Sequence, residues 1–502
     1  MTNLPVLLDA FQSALSPQYL FITLWATLLG VVIGMMPGLT ATMGLALLTT
    51  LTFQMESGPA ITALLGMYVG SIYGGSRTAI ILNMPGTPAS AATTLDGHPL
   101  ARQSRASEAL GLATVGSMVG TLLGVLLLAL TAPVLASYAL KFGSYEYFWL
   151  ALFGVVISGR LTAAADPLKG WIAGCLGLII AMIGQEQVFA YARYSFGIQD
   201  LTGGISLIPA MVGAFGLVEI LSNISSRATP KLSETSGRVL PGLADMKRYS
   251  PTMARSGIAG TLMGLIPGVG EDIGAWVSYA IAKRFSREKH LFGKGSKDGL
   301  LAAETGNSAA VPGAIIPVLT LGIPGSAPSA VLLAAIIIHG VRPGPLIMIQ
   351  SADIVYGVVA AIVFSALAIT AYGVLLTKPL LLVLRIPRER LLPAIFVLCV
   401  VGAFAIAARP FDVLVMLLFG VVGLVLRQMD YPMAPLVLGL VLGDILDKSL
   451  RRGLILSEGS LEPFFLRPVS GALALATLVV ILAMLAPTIA RALRRGRSSP
   501  VD

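Results

Sequence analysis

The chain has few charged residues. Asp, Glu, Lys and Arg together make up 12% of its 502 residues, whereas a typical soluble protein has about 25%. Stretches such as 107–140, 352–384 and 470–490 hold mainly apolar residues with few charges. Each is long enough to cross a bilayer, which takes about 20 apolar residues in a helix. The composition therefore excludes an ordinary soluble domain and predicts an all-α polytopic membrane protein.

Cysteine and histidine are also scarce. The two cysteines, Cys175 and Cys399, lie inside apolar segments, and the three histidines are scattered. We interpret the cysteines as small packing residues and predict no disulfide, no cofactor and no metal beyond a transported Na⁺. The chain start lacks a basic segment before a cleavable apolar core, so we expect no signal peptide. The net charge of +9 comes from short loops between spans, which favours membrane orientation over nucleic-acid binding.

Glycine and proline, by contrast, are abundant inside apolar segments. Residues 30–44 read GVVIGMMPGLTATMG and residues 260–274 read GTLMGLIPGVGEDIG, a displacement of 230 (260 − 30). A second pair, NMPGTP at 83–88 and GIPGSAP at 322–328, is displaced by 239 (324 − 85). The two displacements differ by a short insertion, so the sequence indicates two copies of one structural plan.

Each of these motifs contains a Pro-Gly step. Pro lacks the amide donor and clashes with the preceding turn, while Gly permits the chain to reverse, so a helix should stop there. Paired interruptions of this kind are the best sequence pointer to the substrate site of a membrane transporter. The four predicted breaks are Pro37-Gly38, Pro85-Gly86, Pro267-Gly268 and Pro324-Gly325.

The pattern of apolar segments predicts about twelve transmembrane helices, with broken helices or re-entrant hairpins at the Pro-Gly steps. We divide the chain into a first transmembrane repeat, a basic cytoplasmic linker, a second transmembrane repeat, and an extra span with a basic tail. Their predicted bounds are 1–224, 225–256, 257–468 and 469–502.

Loop charges bear on the orientation of the two copies. The segment 283–297 is strongly basic, whereas its counterpart, 52–59, has no Lys or Arg. This asymmetry favours inverted copies with a cytoplasmic C-terminus. Lys448, Arg451 and Arg452 argue against inversion, because they would then lie outside the membrane.

The residues that follow the breaks form the predicted substrate site. A helix that starts just after Pro-Gly points free backbone amides and a positive dipole end at its surroundings, which suits a carboxylate. Each residue alone is also compatible with a cap or a turn, but four paired breaks together favour a site. The predicted substrate-binding residues are Gly38, Thr40, Asn83, Gly86, Thr87, Ser90, Gly268, Gly270, Gly325, Ser326 and Ser329, together with Arg77.

Ionisable residues near the breaks are weighed separately, because an intramembrane charge is costly. Arg77 can bind a carboxylate bidentately, although pairing with Glu56 or Asp96, or extension to the interface, is the favoured interpretation. Acids after the third break can bind a coupling cation or stabilise a helix start. The candidates for ion coupling are Glu271, Asp272, Glu304, Asn307 and Thr320.

Long motifs along the chain resemble the large membrane subunit of tripartite tricarboxylate transporters (TctA type). The motifs are GVVIGMMPGLTATMGLALL, YVGSIYGGS, NMPGTPASAATTLDG, FGKGSKDG, AAETGN, LTLGIPGSAPSAVLLAA and HGVRPGP, within about residues 18–470. The chain departs from the family pattern at Ser308, where the family usually has Asn, and at Arg77, where many relatives have an apolar residue.

The resemblance implies a secondary carrier that imports di- or tricarboxylates across the bacterial inner membrane, driven by Na⁺ or H⁺. It also implies two partners, a small membrane subunit (TctB type) and a periplasmic solute-binding protein (TctC type).

Other function classes fit the sequence less well. The stretch Gly268–Gly274 lacks the βαβ context of a dinucleotide site, and no GxxxxGK[ST] motif is present. An intramembrane enzyme acting on a lipid or isoprenoid is the alternative, but it would need clustered acids with a metal. A channel would not require paired helix breaks. We therefore expect a transporter and not an enzyme.

Overall fold

The computed structural model describes residues 4–36, 39–162, 166–223, 242–384 and 388–496. Within these ranges the chain is almost entirely helical, which confirms the all-α class. The sheet structure of the described part is one antiparallel hairpin, β1 (Gly184–Gln185) and β2 (Ala192–Arg193), with Gly184 opposite Arg193. Strands of two residues leave no periodic signal, so the sequence did not reveal this hairpin.

Eleven helices precede residue 224 in the described part. They are α1 (Leu4–Ala14), α2 (Pro17–Met35), α3 (Ala41–Thr52), α4 (Ser57–Leu82), α5 (Ala91–Leu100), α6 (Ala106–Ala139), α7 (Ser144–Thr162), α8 (Pro167–Ala181), α9 (Gln199–Thr202), α10 (Leu207–Met211) and α11 (Val218–Asn223). A 3₁₀ turn, Pro88–Ser90, precedes α5, and π turns over Ala101–Arg105 and Val212–Leu217 join α5 to α6 and α10 to α11.

Twelve further helices follow from residue 242 onwards. They are α12 (Leu243–Leu265), α13 (Gly270–Phe285), α14 (Lys297–Leu321), α15 (Ala327–Ile338), α16 (Ile347–Gln350), α17 (Ala352–Leu375), α18 (Thr377–Val383), α19 (Arg388–Ala405), α20 (Pro410–Gln428), α21 (Met433–Leu456), α22 (Glu462–Leu466) and α23 (Pro468–Gly496). A 3₁₀ turn, Lys289–Leu291, lies between α13 and α14.

Helix α12 differs from the sequence expectation. It begins at Leu243, inside the range 225–256 that the basic residues had indicated as a linker; residues 224–241 lie outside the described part. Its first turns are polar, so their composition resembles a loop although their backbone is helical. The C-terminal part of the predicted linker is therefore helical, and the bounds 225–256 stay a prediction.

Several helices have the length and composition of membrane spans. In the described part, four helical segments are long and apolar enough to cross a bilayer: Pro17–Met35, Pro88–Ala139, Ala352–Leu375 and Pro410–Gln428. Shorter apolar helices lie between them, among them Ala41–Thr52 and Ala327–Ile338. The protein is a multi-pass membrane protein, while the count of about twelve spans and the inversion of the copies stay predictions.

The described chain separates into two compact units. Unit 1 contains residues 1–140 and 206–425, and unit 2 contains residues 141–205 and 426–502. Each unit takes segments from both halves of the sequence. The predicted repeats are consecutive stretches of the sequence, whereas the two units are groups of segments in space. The units therefore do not test the predicted repeats.

Unit 2 is built around the packing of α8 against α21. A Cβ added to Gly177 would lie 2.0 Å from the carbonyl oxygen of Leu436, and one added to Gly439 would lie 2.3 Å from that of Gly174. Such close backbone approach requires glycine. Within the same unit, Arg193 donates two hydrogen bonds to the carboxylate of Asp447, at 3.2 and 3.0 Å.

Unit 1 contains two helix pairs that cross in the same way. A Cβ on Gly34 of α2 would lie 2.0 Å from the carbonyl oxygen of Ser71 on α4. A Cβ on Gly264 of α12 would lie 2.3 Å from that of Ala310 on α14. The residues of the two contacts are related by the same displacements as the sequence motifs: Gly264 is 230 positions after Gly34 (264 − 34), and Ala310 is 239 positions after Ser71 (310 − 71). The crossings position the helix ends that precede the breaks.

We expect Gly34→Ala to destabilise the protein, because the added methyl group would overlap the Ser71 carbonyl. Overpacking of this kind costs about 1–3 kcal/mol. The measurement is the thermal midpoint of the purified protein in detergent. Gly357→Ala on α17 is the matched control, since a Cβ there meets no atom within 4 Å. Equal midpoints for both variants would mean that the crossing tolerates a side chain.

Candidate functional site

Two helices of unit 1 end in the same unusual conformation before a break. Helix α4 is followed by Asn83 at φ 56°, and α14 is followed by Gly322 at φ 69°. Both residues lie in the left-handed region, which glycine and asparagine tolerate best. The structure therefore gives Asn83 the role of a helix C-cap, and the chain leaves both helices in the same direction relative to their axes.

Past these caps, each Pro-Gly step forms a tip that packs onto its own half of the chain. The backbone N–H of Gly86 donates to the carbonyl oxygen of Gly75 at 3.3 Å. A Cβ on Gly86 would lie 2.1 Å from the Gly34 carbonyl oxygen, and one on Gly325 would lie 2.4 Å from the Gly264 carbonyl oxygen. Both tips thus rest on the helix crossings through glycine.

The hydroxyl groups after the tips differ in their use. Ser326 and Ser329 cap α15 reciprocally, because each backbone N–H donates to the other side chain, at 2.7 and 3.3 Å. In the first half, the Thr87 backbone N–H donates to the Ser90 hydroxyl oxygen at 3.2 Å. The Thr87 side chain faces the Ser90 backbone N–H in the same reciprocal cap, while no acceptor binds the Thr87 hydroxyl proton among the described residues. The two tips are therefore followed by matching caps, and Thr87 keeps a hydroxyl proton to donate.

The remaining two breaks lie before α3 and α13. Pro37 and Gly38 lie outside the described residues. Thr40 caps α3, and its hydroxyl accepts from the Met43 N–H at 3.2 Å. Pro267 and Gly268 form the turn before α13, where Gly268 has φ 78° and Gly270 has φ 56°. A left-handed backbone at these glycines lets α13 start directly against the second tip.

A buried polar chain joins the second tip to the first half of the sequence. The Ser326 hydroxyl lies 2.9 Å from the hydroxyl of Tyr68, which donates to the Glu271 carboxylate at 3.1 Å. All three side chains are buried. Either hydroxyl can be the donor in the Ser326–Tyr68 contact. The sequence had indicated Glu271 and Ser326 but missed Tyr68, although it begins the motif YVGSIYGGS.

The neighbouring acid, Asp272, lies at the first tip. Its carboxylate is next to the backbone amide of Ala89, in the 3₁₀ turn that precedes α5. The two acids at the start of α13 therefore contact different tips. Both also lie in the first turn of a helix, where negative charge is favourable.

Glu304 is fully buried and joins three helices. It accepts hydrogen bonds from Thr93 on α5 and from Ser117 on α6, the latter at 3.0 Å. Thr320, nearer the end of the same helix, donates its hydroxyl proton to the Ile316 carbonyl oxygen at 2.8 Å. Sequence reasoning found the glutamate and missed its hydroxyl partners, which lie far away along the chain.

Asn307, one turn after Glu304, is different. It is 0% exposed, and neither its Oδ1 nor its Nδ2 has a hydrogen-bond partner among the described residues. Buried polar atoms without partners are rare in native structures. Asn307 therefore has an unused donor and an unused acceptor on one of the two broken helices that end in a left-handed cap.

Arg77 does not lie with these residues. It is nine positions after Tyr68 on α4, which at about 100° per residue places it on the opposite face of the helix. It is 0% exposed, and its Nη1 donates to the Tyr73 hydroxyl at 2.5 Å. Among the described residues no carboxylate lies within ion-pair distance of Arg77, so the structure shows neither the pairing with Glu56 nor that with Asp96.

Asp96 instead anchors a loop of the second half. Its Oδ1 accepts the backbone N–H groups of Gly293, Gly295 and Ser296 at 2.8–2.9 Å, and its Oδ2 accepts the Tyr279 hydroxyl at 2.9 Å. Gly293, Gly295 and Ser296 belong to the FGKGSKDG segment. Asp96 therefore serves as a clamp between α5 and the loop before α14.

Asp166 and Arg409, which lie outside the breaks, have structural partners. Asp166 caps α8 through the Leu168 N–H at 3.2 Å, and Arg409 pairs with Asp412 at 3.1 Å. The described residues contain no group of three or more His, Cys, Asp or Glu side chains that could hold a metal ion.

Apolar helices interrupted at paired glycine tips, with buried polar groups gathered beside them, define a multi-pass membrane protein with broken helices. The chain belongs to the tripartite tricarboxylate transporter TctA family, whose sequence profile matches residues 20–438. It is thus a membrane permease component of a transporter that has other subunits.

Two similar proteins come from Agrobacterium vitis. An "Uncharacterized 52.8 kDa protein in TAR-I ttuC' 3'region" is 35% identical over 482 residues, which cover 95% of each chain. An "Uncharacterized protein in TAR-II ttuC' 3'region" is 34% identical over 230 residues, 46% of this chain and 95% of that protein. No solved structure gives a significant match.

We expect Tyr68→Phe to destabilise the protein, because the buried Glu271 carboxylate loses its donor. Leaving a buried acceptor without its partner costs about 1–3 kcal/mol. The readout is the thermal midpoint in detergent. Tyr147→Phe is the control, since the buried Tyr147 hydroxyl has no partner among the described residues. A midpoint for Tyr68→Phe equal to that of the control would exclude a stabilising bond to Glu271.

Proposed function

We propose that this chain is the large permease subunit of a binding-protein-dependent secondary transporter that imports di- or tricarboxylates by cation symport. Substrate binds near the bilayer midplane, between the broken helices, and access alternates between the two sides. The observation that carries the proposal is a set of buried polar side chains with unpartnered atoms on and after the broken helices, Asn307 and Thr87 among them. An amide and a hydroxyl group can donate to a carboxylate.

Helix starts add to this chemistry. Helices α3, α13 and α15 each begin just after a break, so their first N–H groups and positive dipole ends point away from the helix body. Transporters with discontinuous helices use such ends for anionic substrates. The matched glycine contacts at displacements of 230 and 239 support two copies of one plan, and the loop charges support their inversion.

The coupling cation has candidate ligands near the tips. Glu271 and Asp272 contact the second and first tips respectively, so a cation bound there would be sensitive to movement of either tip. Glu304 is already bonded by two hydroxyl groups, which suits a stabilising role or a proton site. Asn307 Oδ1 and the Thr320 oxygen are neutral ligands of the kind that Na⁺ accepts.

Family membership supports the partners. The family implies other subunits, and we assign them as a small membrane subunit (TctB type) and a periplasmic solute-binding protein (TctC type). The protein then resides in the bacterial inner membrane. The four arginines between 491 and 497 favour a cytoplasmic C-terminus.

Uptake into proteoliposomes tests the function. The chain is reconstituted with its small subunit, and uptake of labelled succinate and citrate is measured with and without the binding protein, under a Na⁺ or a H⁺ gradient. We expect uptake that requires both the binding protein and one of the two gradients. Folded protein that moves neither compound nor any other carboxylate under either gradient would refute the proposed substrate class.

The tips themselves can be tested in the same assay. We expect Gly86→Leu or Gly325→Leu to abolish uptake although the protein still inserts, because a side chain there would displace the tip from the helix crossing. Membrane abundance is measured in parallel, with Gly357→Leu as the matched glycine replacement on α17. If Gly86→Leu and Gly325→Leu are well expressed and take up substrate as the wild type does, the tips are not part of the substrate site.

A further inference from the structure

The two halves of unit 1 can be compared residue by residue. A Cβ on Gly30 would lie 2.4 Å from the Met67 carbonyl oxygen, and one on Gly260 would lie 2.2 Å from that of Gly306. Gly260 is Gly30 displaced by 230, and Gly306 is Met67 displaced by 239. The residues that follow Met67 and Gly306, namely Tyr68 and Asn307, therefore hold equivalent positions on α4 and α14.

The same displacements identify the surroundings of these two residues. Ser326 corresponds to Thr87 (87 + 239 = 326), since each is the first hydroxyl residue after its tip. Glu271 corresponds to Ala41 (41 + 230 = 271), and each lies in the first turn of the helix that follows its break. The polar cluster Tyr68–Glu271–Ser326 thus has a counterpart made of Asn307, Ala41 and Thr87.

The two clusters differ in one chemical group. In the first, a carboxylate at position 271 receives the Tyr68 proton, and Tyr68 in turn contacts Ser326. In the second, position 41 is an alanine and supplies no carboxylate. The Asn307 side chain, 0% exposed, has no hydrogen-bond partner, and the Thr87 hydroxyl, on a side chain 3% exposed, has no acceptor for its proton, among the described residues. The donors are retained, whereas position 41 offers no acceptor for them.

We propose that one carboxylate group of the substrate binds beside Ala41, in the place that corresponds to the Glu271 carboxylate. Asn307 Nδ2 and the Thr87 hydroxyl donate to it, and the start of α3, a helix of 12 residues, adds its positive end. Thr40 accepts the Met43 N–H with its hydroxyl and the Gly44 N–H with its carbonyl oxygen, so the earlier N–H groups of that turn, those of Ala41 and Thr42, are left for the substrate. This inference rests on the proposed function and names the subsite within it.

The arrangement also explains why only one such subsite is needed. Glu271 is a carboxylate supplied by the protein itself, so the cluster around Tyr68 does not require one from the substrate. Because Ala41 carries no carboxylate, no side chain at this position competes with the substrate for the donors of the counterpart cluster. A di- or tricarboxylate would therefore place a single carboxylate at these donors, and its other groups would face the remaining polar residues near the tips.

The test measures binding directly. Purified protein in detergent is titrated with succinate, with sodium chloride at matched ionic strength as the control, and the thermal midpoint is followed. We expect stabilisation by succinate and none by the control salt. Thr87→Val keeps the shape of Thr and removes the donor, so we expect the succinate concentration for half-maximal stabilisation to rise about tenfold or more. Asn307→Asp replaces a donor by a like charge and should abolish the effect.

Thr305→Val is the matched control for both variants. The Thr305 hydroxyl is also buried without a partner among the described residues, but it lies two positions from Asn307, on another face of α14. We expect this variant to bind succinate as the wild type does. Equal binding by Thr87→Val, Asn307→Asp and Thr305→Val would overturn the proposed subsite.

A tethered carboxylate gives the complementary test. In Ala41→Glu the new side chain can occupy the subsite, so we expect the succinate-dependent shift to disappear, while Ala41→Gln retains more of it. Wild-type affinity in folded Ala41→Glu would refute the position while leaving the transporter proposal intact. Absence of stabilisation by any carboxylate in the folded wild type would instead contradict the proposed function. If Ala41→Glu does not fold, the Thr87 and Asn307 variants decide the question.

Discussion

Contact between glycine and backbone carbonyl oxygen is the constraint on which the rest of unit 1 depends. A helix that ends inside a bilayer has unpaired backbone groups, and lipid cannot satisfy them. The glycines of the two tips are buried against the crossings of α2 with α4 and of α12 with α14, at distances that leave no room for a Cβ. Packing against these crossings therefore fixes the position of each break. It also fixes the positions of the polar residues next to the break.

The two halves share this frame but not its chemistry. Glycines correspond at both displacements, whereas Tyr68 corresponds to Asn307 and Glu271 to Ala41. The close contacts tolerate little change, while the side chains that point away from them can diverge. Two similar scaffolds can in this way hold two different clusters. In one, donors and an acceptor of the protein bind each other; in the other, the donors remain available to a ligand.

Much of this scaffold could be predicted from the sequence, because glycine and proline spacing records backbone geometry directly. The breaks at Pro85, Pro267 and Pro324, the capping role of the hydroxyl groups after them and the apolar helices all follow from local rules. Side-chain partners do not. Tyr68 meets Glu271 across 203 positions and Thr93 meets Glu304 across 211, and no local pattern indicates which residues will meet.

Two other features escaped the sequence for related reasons. The early start of α12 was hidden because polar turns at a helix end have the composition of a loop. Arg77 is close to the breaks along the chain but lies opposite Tyr68 on α4 by helical periodicity, and its role at the substrate stays a prediction. Proximity in sequence is a weak guide within a helix, since neighbours two positions apart face in nearly opposite directions.

The tip contacts have a consequence for the order of synthesis. Gly86 rests on Gly34 and Gly75, so the first tip can form as soon as the first three broken segments have left the ribosome. Tyr68, however, must wait for Glu271 and Ser326, which are translated 203 and 258 residues later. During that interval Tyr68 lacks both partners, so this polar contact between the halves depends on synthesis of the second one.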